Sequence, residues 1–282
     1  MTGATLASTD YRRPGKGAQY LQRLGFQQHR NLFWSWYEPR NFGDWIGPYL
    51  YEKITGMVPR YLKPRKSVKA CFFASAGSIL RHIQVDDQAV VWGSGIISQD
   101  DTFGRPREVA AVRGPRSQER LHELGFKVPD IVGDPGILLP HFYQAASRPV
   151  PGRIGLIPHF FDLAGVRALA SPDMHVVDVT RPVEQVVDDL TTCEFTLSTS
   201  LHGLIVSHAY GIPSVWCRSL KALDGDGTKF SDYLESVGLG KTEALLVDFS
   251  LSADRLRTFV EFATLPRLSN LQERLQIGRA HV

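Results

Sequence analysis

The segment CEFTLSTSLHGLIVSHAYGIPSVWC, residues 193–217, constrains the fold more than any other stretch of the chain. Its first apolar run ends at Leu197. Ser198, Thr199 and Ser200 then supply three hydroxyls where a helix has to start. Hydroxyl residues favour that place because they satisfy helix N–H groups that have no carbonyl partner. The helix carries His202 in its first turn and closes at Gly211, ahead of Pro213 and a second apolar run. Strand, polar turn, helix, strand is the repeating unit of a parallel sheet. The turn exposes backbone N–H groups and the positive end of a helix dipole, which attract anions. Open α/β sheets bind ligands at the carboxyl ends of their strands, so His202 is a candidate for chemistry.

The same alternation runs through the rest of the chain. Apolar runs predict strands over 68–74, 89–92, 109–112 and 130–132. Short helices are expected over 77–83 and 115–124, the latter with Pro115 at its first position and Gly125 past its end. Residues 143–152, YQAASRPVPG, are dense in turn formers and mark a domain boundary. Beyond it come strands over 153–157 and 174–179 and helices over 161–170 and 183–191. The segment 193–217 follows, and helices near 229–236 and 253–263 finish the chain. The expected fold is α/β, with two Rossmann-like domains facing one cleft, and 282 residues are enough for both. A flexible basic lead-in is assigned to 1–28, an N-terminal domain to 29–147 and a C-terminal domain with the donor site to 148–276. Residues 277–282, IGRAHV, match the translation of a common sequencing-adapter oligonucleotide. They are expected to be a non-native tail on a gene that continues past Gln276.

Composition narrows the function classes. A net charge of +3 argues against a dedicated nucleic-acid binder but allows local basic pockets for acidic ligands. Cys71, Cys193 and Cys217 sit in apolar contexts without metal or redox spacing, as expected of reduced core thiols in a cytoplasmic protein. No run is long and apolar enough to span a bilayer, and the start lacks the apolar core of a secretion signal.

Polar groups gather where the predicted strands end. Gly93-Ser94-Gly95 either lets a backbone approach a phosphate or makes a tight turn; Ser98 stands where a dinucleotide fingerprint needs its last glycine. Arg113 stands at a strand end, where an arginine fork grips carboxylate or phosphate, whereas Arg116 reads as a solvated side chain. Asp44, in Asn41-Phe42-Gly43-Asp44, either binds a sugar hydroxyl or caps a helix starting near Trp45. Asp134, before Pro135, has the same two readings with a turn. His159 follows the strand over 153–157. No set of metal ligands is spaced for a site.

Six pieces, NFGD (41–44), VVWGSGI (90–96), AVRGPRS (111–117), VGDPGILLP (132–140), IPHF (157–160) and STSLHGLIVSHAYGIPSVW (198–216), together resemble the polysaccharide pyruvyl transferase family. The likeness covers roughly residues 30 to 235 and is strongest to the xanthan-type ketal pyruvate transferases of bacterial exopolysaccharides. It implies a fold like the GT-B glycosyltransferases, phosphoenolpyruvate as donor and no further cofactor. It also implies a sugar hydroxyl pair as acceptor, on a lipid-linked oligosaccharide at the cytoplasmic face of the membrane, with peripheral membrane contact. His202 then carries acid–base chemistry. Arg113 holds the donor, Ser198, Thr199, Ser200, Gly93 and Ser94 complete its cradle, and Asp44, His159 and Asp134 face the acceptor. Many relatives place an arginine directly before Leu-His-Gly. Ser200 stands there in this chain, which leaves Arg116, Arg218 or Lys229 as the second donor cation. The competing reading is a GT-B glycosyltransferase with a nucleotide-sugar donor; a non-catalytic sugar-binding protein is a third.

Overall fold

A computed structural model describes residues 11, 17, 21, 31–35, 40–66, 68–171, 174–218 and 226–278, with side chains through 276. The expected tail over 277–282 and most of the lead-in over 1–28 lie outside these described side chains. Tyr11, within the lead-in, is anchored: its hydroxyl donates to Glu52 at 2.6 Å and its ring stacks on Trp45 at 5.2 Å.

The fold is α/β, with two parallel five-stranded sheets. The first joins β1 (Asn31–Phe33), β2 (Arg60–Tyr61), β3 (Phe72–Ala74), β4 (Ala89–Ser94) and β5 (Glu108–Val112) in the order β2-β1-β3-β4-β5. The second joins β6 (Ile154–Ile157), β7 (His175–Val176), β8 (Phe195–Ser198), β9 (Ser214–Arg218) and β10 (Leu245–Leu246) in the order β10-β9-β8-β6-β7. Every neighbouring pair is parallel. β4, β6 and β8 are buried along their whole length, as apolar runs covered on both faces must be.

Strand order decides where a ligand can enter. In the first sheet the chain steps from β1 outward to β2, then returns to place β3 on the other side of β1. In the second it steps from β6 to β7, then returns to place β8 on the other side of β6. At such reversals the connections leave on opposite faces and open a crevice. The turn after β1 leads into α1 (Phe42–Thr55). The turns after β6 and β8 carry His159 and the start of α5 (Leu201–Ala209).

The other helices are α2 (Pro115–Glu123), α3 (Leu163–Leu169), α4 (Val183–Leu190), α6 (Thr228–Ser236), α7 (Ala253–Arg257) and α8 (Ser269–Gly278). Short 3-10 helices cover Leu80–His82, Pro135–His141 and Thr258–Phe262. One expected strand needs correction. Residues 130–132 make only one parallel bridge, Val132 to Val112, because Gly133 (φ +142°) turns the chain away at once. α8 does not stay with the second half. Leu271 and Leu275, one helical turn apart, pack against Gly133, and the Leu275 carbonyl accepts from Trp92 Nε1 at 3.2 Å. Burying Leu275 there contributes roughly 1.5–3 kcal/mol and ties the end of the chain to the first sheet.

Contacts across the two halves are polar as well as apolar. Tyr49 donates to Glu184 at 2.8 Å, Lys53 pairs with Glu184 at 3.1 Å, and the Phe42 amide donates to the Val179 carbonyl at 2.8 Å.

Candidate active site

Three helix starts meet at His202. The first belongs to α5. Ser200 is its N-cap, accepting from the Gly203 amide at 3.3 Å, and this puts His202 in the first turn. Gly203 is required by close approach: a Cβ there would lie 2.5 Å from Ile157 Cγ2 and from Ser198 Oγ. The second start belongs to α1, whose cap is Asn41, accepting from the Gly43 amide at 3.3 Å. The expectation that Asp44 caps this helix is therefore corrected: the helix begins at Phe42, and Asp44 lies inside its first turn, accepting from Asn41 Nδ2 at 2.9 Å. The third is the 3-10 helix Pro135–His141, capped by Asp134, whose Oδ1 accepts from the Gly136 amide at 2.9 Å.

Gly43 lets the first two helices touch. A Cβ at this position would lie 2.5 Å from His202 Nδ1, so any side chain would push the imidazole away. On the other edge of the ring, Nε2 faces Asp134 Oδ2 at 3.6 Å. That is beyond hydrogen-bond length, and neither buried atom has a hydrogen-bond partner among the described residues. Asp44 is only partly exposed. Burial pushes its carboxyl up to about 6, against the opposing pull of His202, Asn41 and Lys229. The site thus assembles an imidazole, a carboxyl that exchanges protons near neutrality, a second carboxyl behind the ring, and the charge of Lys229 within reach.

The turn hydroxyls hold the loops in place. Thr199 Oγ1 accepts from the His159 amide at 2.8 Å, which spans the crevice between β6 and β8. Ser198 Oγ donates to the Ser200 carbonyl at 2.8 Å. His159 lies beside the aromatic rings of Phe160 and Phe161.

Arg113 lies in a different cluster. It is fully buried and ion-pairs with Asp232 of α6 at 2.9 Å. Its guanidinium also donates to Ser78 Oγ at 2.7 Å and the Ile96 carbonyl at 2.5 Å. The Asp232 carboxylate completes its shell by accepting from the Ser117 amide at 3.0 Å and Ser117 Oγ at 2.6 Å, at the start of α2. The arginine fork does grip a carboxylate, but the chain supplies it. The expected donor role therefore stands on a guanidinium that is already buried and paired to a carboxylate, with Nε its one nitrogen lacking a hydrogen-bond partner among the described residues. Arg116 is likewise engaged, with Glu235 at 2.8 Å.

Gly93 and Ser94 belong to the same packed region. Gly93 has φ +82° and a Cβ there would overlap Pro135; Ser94 is buried and donates to the Gly77 carbonyl at 3.0 Å. The contacts of this turn are those of tight packing. Asp232 has no place in the sequence reading, and Gly43 enters it only as part of the piece NFGD. A signal for Asp232 existed: Arg113 and Arg116 are spaced by three, as are Asp232 and Glu235, so two ion pairs can form between one loop and one helix face.

Residues 27–219 match the family described as polysaccharide pyruvyl transferase. The chain belongs to this family. It is also 31% identical over 188 residues to an uncharacterized protein, L143, of Acanthamoeba polyphaga mimivirus. That match covers 62% of this chain and 64% of the relative's length. The family match takes in Asp44, Arg113, Asp134, His159 and the whole Ser198–His202 turn, and ends just after β9. Among the described residues no group of His, Cys, Asp or Glu lies together as a metal site, and no helix is long and apolar enough to cross a membrane.

Proposed function

We propose that this chain transfers pyruvate from phosphoenolpyruvate to two hydroxyls of one sugar, forming a cyclic ketal and releasing phosphate. The carrying observation is the close approach of His202 to Gly43, the neighbour of Asp44, which brings two proton carriers near each other where the two sheets meet. The reaction needs both. A proton is added to the methylene carbon of the donor, making the central carbon electrophilic. One sugar hydroxyl bonds to that carbon and gives up its proton. The second hydroxyl then bonds to it as the C–O bond to phosphate breaks. One hydroxyl proton ends on the new methyl group and the other on phosphate, so nothing further is consumed.

His202 is the acid–base residue nearest the acceptor hydroxyls. The Asp44 carboxyl, raised to about 6, is suited to carry the proton for the methylene carbon. Amides at the start of α5 and the charge of Lys229 form the donor's anion cradle, aided by the dipole. Arg113 serves this site from a distance by fixing the β5–α2 turn to α6. The bond of the His159 amide to Thr199 Oγ1 supports an acceptor-side role for His159. The two-sheet layout suits a GT-B-type arrangement, and the motifs suit the xanthan-type branch, with a lipid-linked exopolysaccharide unit as acceptor at the cytoplasmic membrane face.

The test is incubation with phosphoenolpyruvate and candidate lipid-linked glycans, reading free phosphate together with product mass. The product should be heavier than the acceptor by one pyruvylidene group, in step with phosphate released. Transfer from a nucleotide sugar instead, with phosphoenolpyruvate inert, would overturn the reading.

A further inference from the structure

We propose that Asp134 is the positioning residue for His202: its Oδ2 takes the Nε2–H of the imidazole, which leaves Nδ1 as the nitrogen that exchanges protons with substrate. The proposal rests on the reading of His202 as the proton carrier.

Four observations carry it. Asp134 is fully buried, and Oδ1 is held by the Gly136 amide at 2.9 Å, so the carboxyl group is fixed in rotation. Oδ2 and His202 Nε2 face each other at 3.6 Å, and each lacks any hydrogen-bond partner among the described residues. Two buried polar atoms left without partners are costly, and each is the other's natural remedy. A closure of a few tenths of an ångström makes the bond, and catalytic bonds commonly tighten when substrate binds. Third, His202 retains 10% of its side-chain exposure while Nε2 is sealed, so its open surface lies away from Asp134. Fourth, Nδ1 is on the Gly43 side, next to the turn that carries Asp44.

A carboxylate behind an imidazole selects the tautomer and stabilises the imidazolium once formed. The geometry assigns Asp134 to this task rather than to the acceptor sugar, because a sealed side chain cannot meet a glycan. The other groups bearing on the pair are Asp44 on α1, Lys229 on α6 acting through Asp44, and Tyr233 on α6, whose phenol burial pushes well above its usual range so that it stays neutral.

The experiment is nitrogen NMR of protein labelled at histidine, with the His202 signals identified by their loss in His202→Gln. The wild-type protein should show the Nε2–H tautomer at high pH. Asp134→Asn keeps a carbonyl oxygen for the Gly136 amide but offers an amide N–H to Nε2. It should move His202 to the Nδ1–H form. Turnover should fall by roughly 10²- to 10⁴-fold with the donor KM little changed. An Nδ1–H tautomer in the wild-type protein, or an unmoved tautomer in Asp134→Asn, would overturn the proposal. The wild-type spectrum decides the matter even if the variant does not fold. Should the NMR signature hold while no glycan accepts pyruvate, the positioning role stands and only the functional reading fails.

Discussion

α2 and α5 begin in the same way and end up with opposite tasks. Each follows a parallel strand, each starts at a polar turn, and each carries a positive side chain or a titratable ring beside the amides of a helix start. At α2 the carboxylate of Asp232 fills the turn. It satisfies the Ser117 amide and hydroxyl and neutralises Arg113, whose Nε alone in the guanidinium lacks a hydrogen-bond partner among the described residues. At α5 the carboxylate of Asp134 stops short at 3.6 Å, and the ring it faces still lacks a partner. A closed polar cluster holds two halves of a protein together. One left a few tenths of an ångström open keeps two buried atoms for each other and a ring whose exposed edge faces away from them. The lesson is that an anion-binding motif identifies a place for an anion without saying whether the chain or a ligand provides it.

The contrast can be broken at four points. Asp232→Ala should have the largest effect, leaving Arg113 charged, buried and unpaired; denaturant unfolding should show a loss of about 3–5 kcal/mol. Retention of wild-type stability would mean that the cluster is not closed in solution. His202→Ala should reverse the pattern, lowering phosphate release by roughly 10²- to 10⁴-fold while the unfolding midpoint stays nearly in place. Equal damage to stability and activity would place His202 in the structural class with Arg113.

Asp44→Asn comes next. The folded protein holds this proton up to about pH 6, whereas the unfolded chain releases it near 3.8. Folding therefore takes up a proton between those values, and stability drops as pH rises through that window. The variant should be more stable than the wild type by on the order of 2–3 kcal/mol at pH 8 and no more stable at pH 3. Its activity should fall nonetheless. A stability gain at both pH values would show that the carboxyl is not strained by burial. Smallest is Arg116→Ala: its pair with Glu235 is partly exposed, so the cost should be within about 1 kcal/mol by thermal unfolding. A larger loss would extend the closed cluster to the protein surface.

Much of this was legible in the residues. The helix carrying His202 was expected from hydroxyls, periodicity and the Gly211–Pro213 stop, and α5 runs Leu201–Ala209 with Ser200 as its cap. α2, α4 and α6 likewise fall where proline and apolar spacing place them. β1 and β2 were missed, being three and two residues long, because a strand that short has no period to read. Asp44 reads from sequence either as a sugar-hydroxyl ligand or as the cap of a helix starting near Trp45. The chain instead used Asn41, three residues earlier, since only that side chain reaches the Gly43 amide.

Local chemistry thus determined which segments are strands, where helices start and which residues can move protons or bind anions, because each of those follows from neighbours along the chain. Tertiary structure alone decided that Asp232, lying 119 residues after Arg113 by the difference of their numbers, reaches across to close its charge, while Asp134 falls just short of His202. The physical reason is that a charge is satisfied by whatever lies within about 3 Å, and distance in space is set by how two sheets pack, which no local pattern encodes.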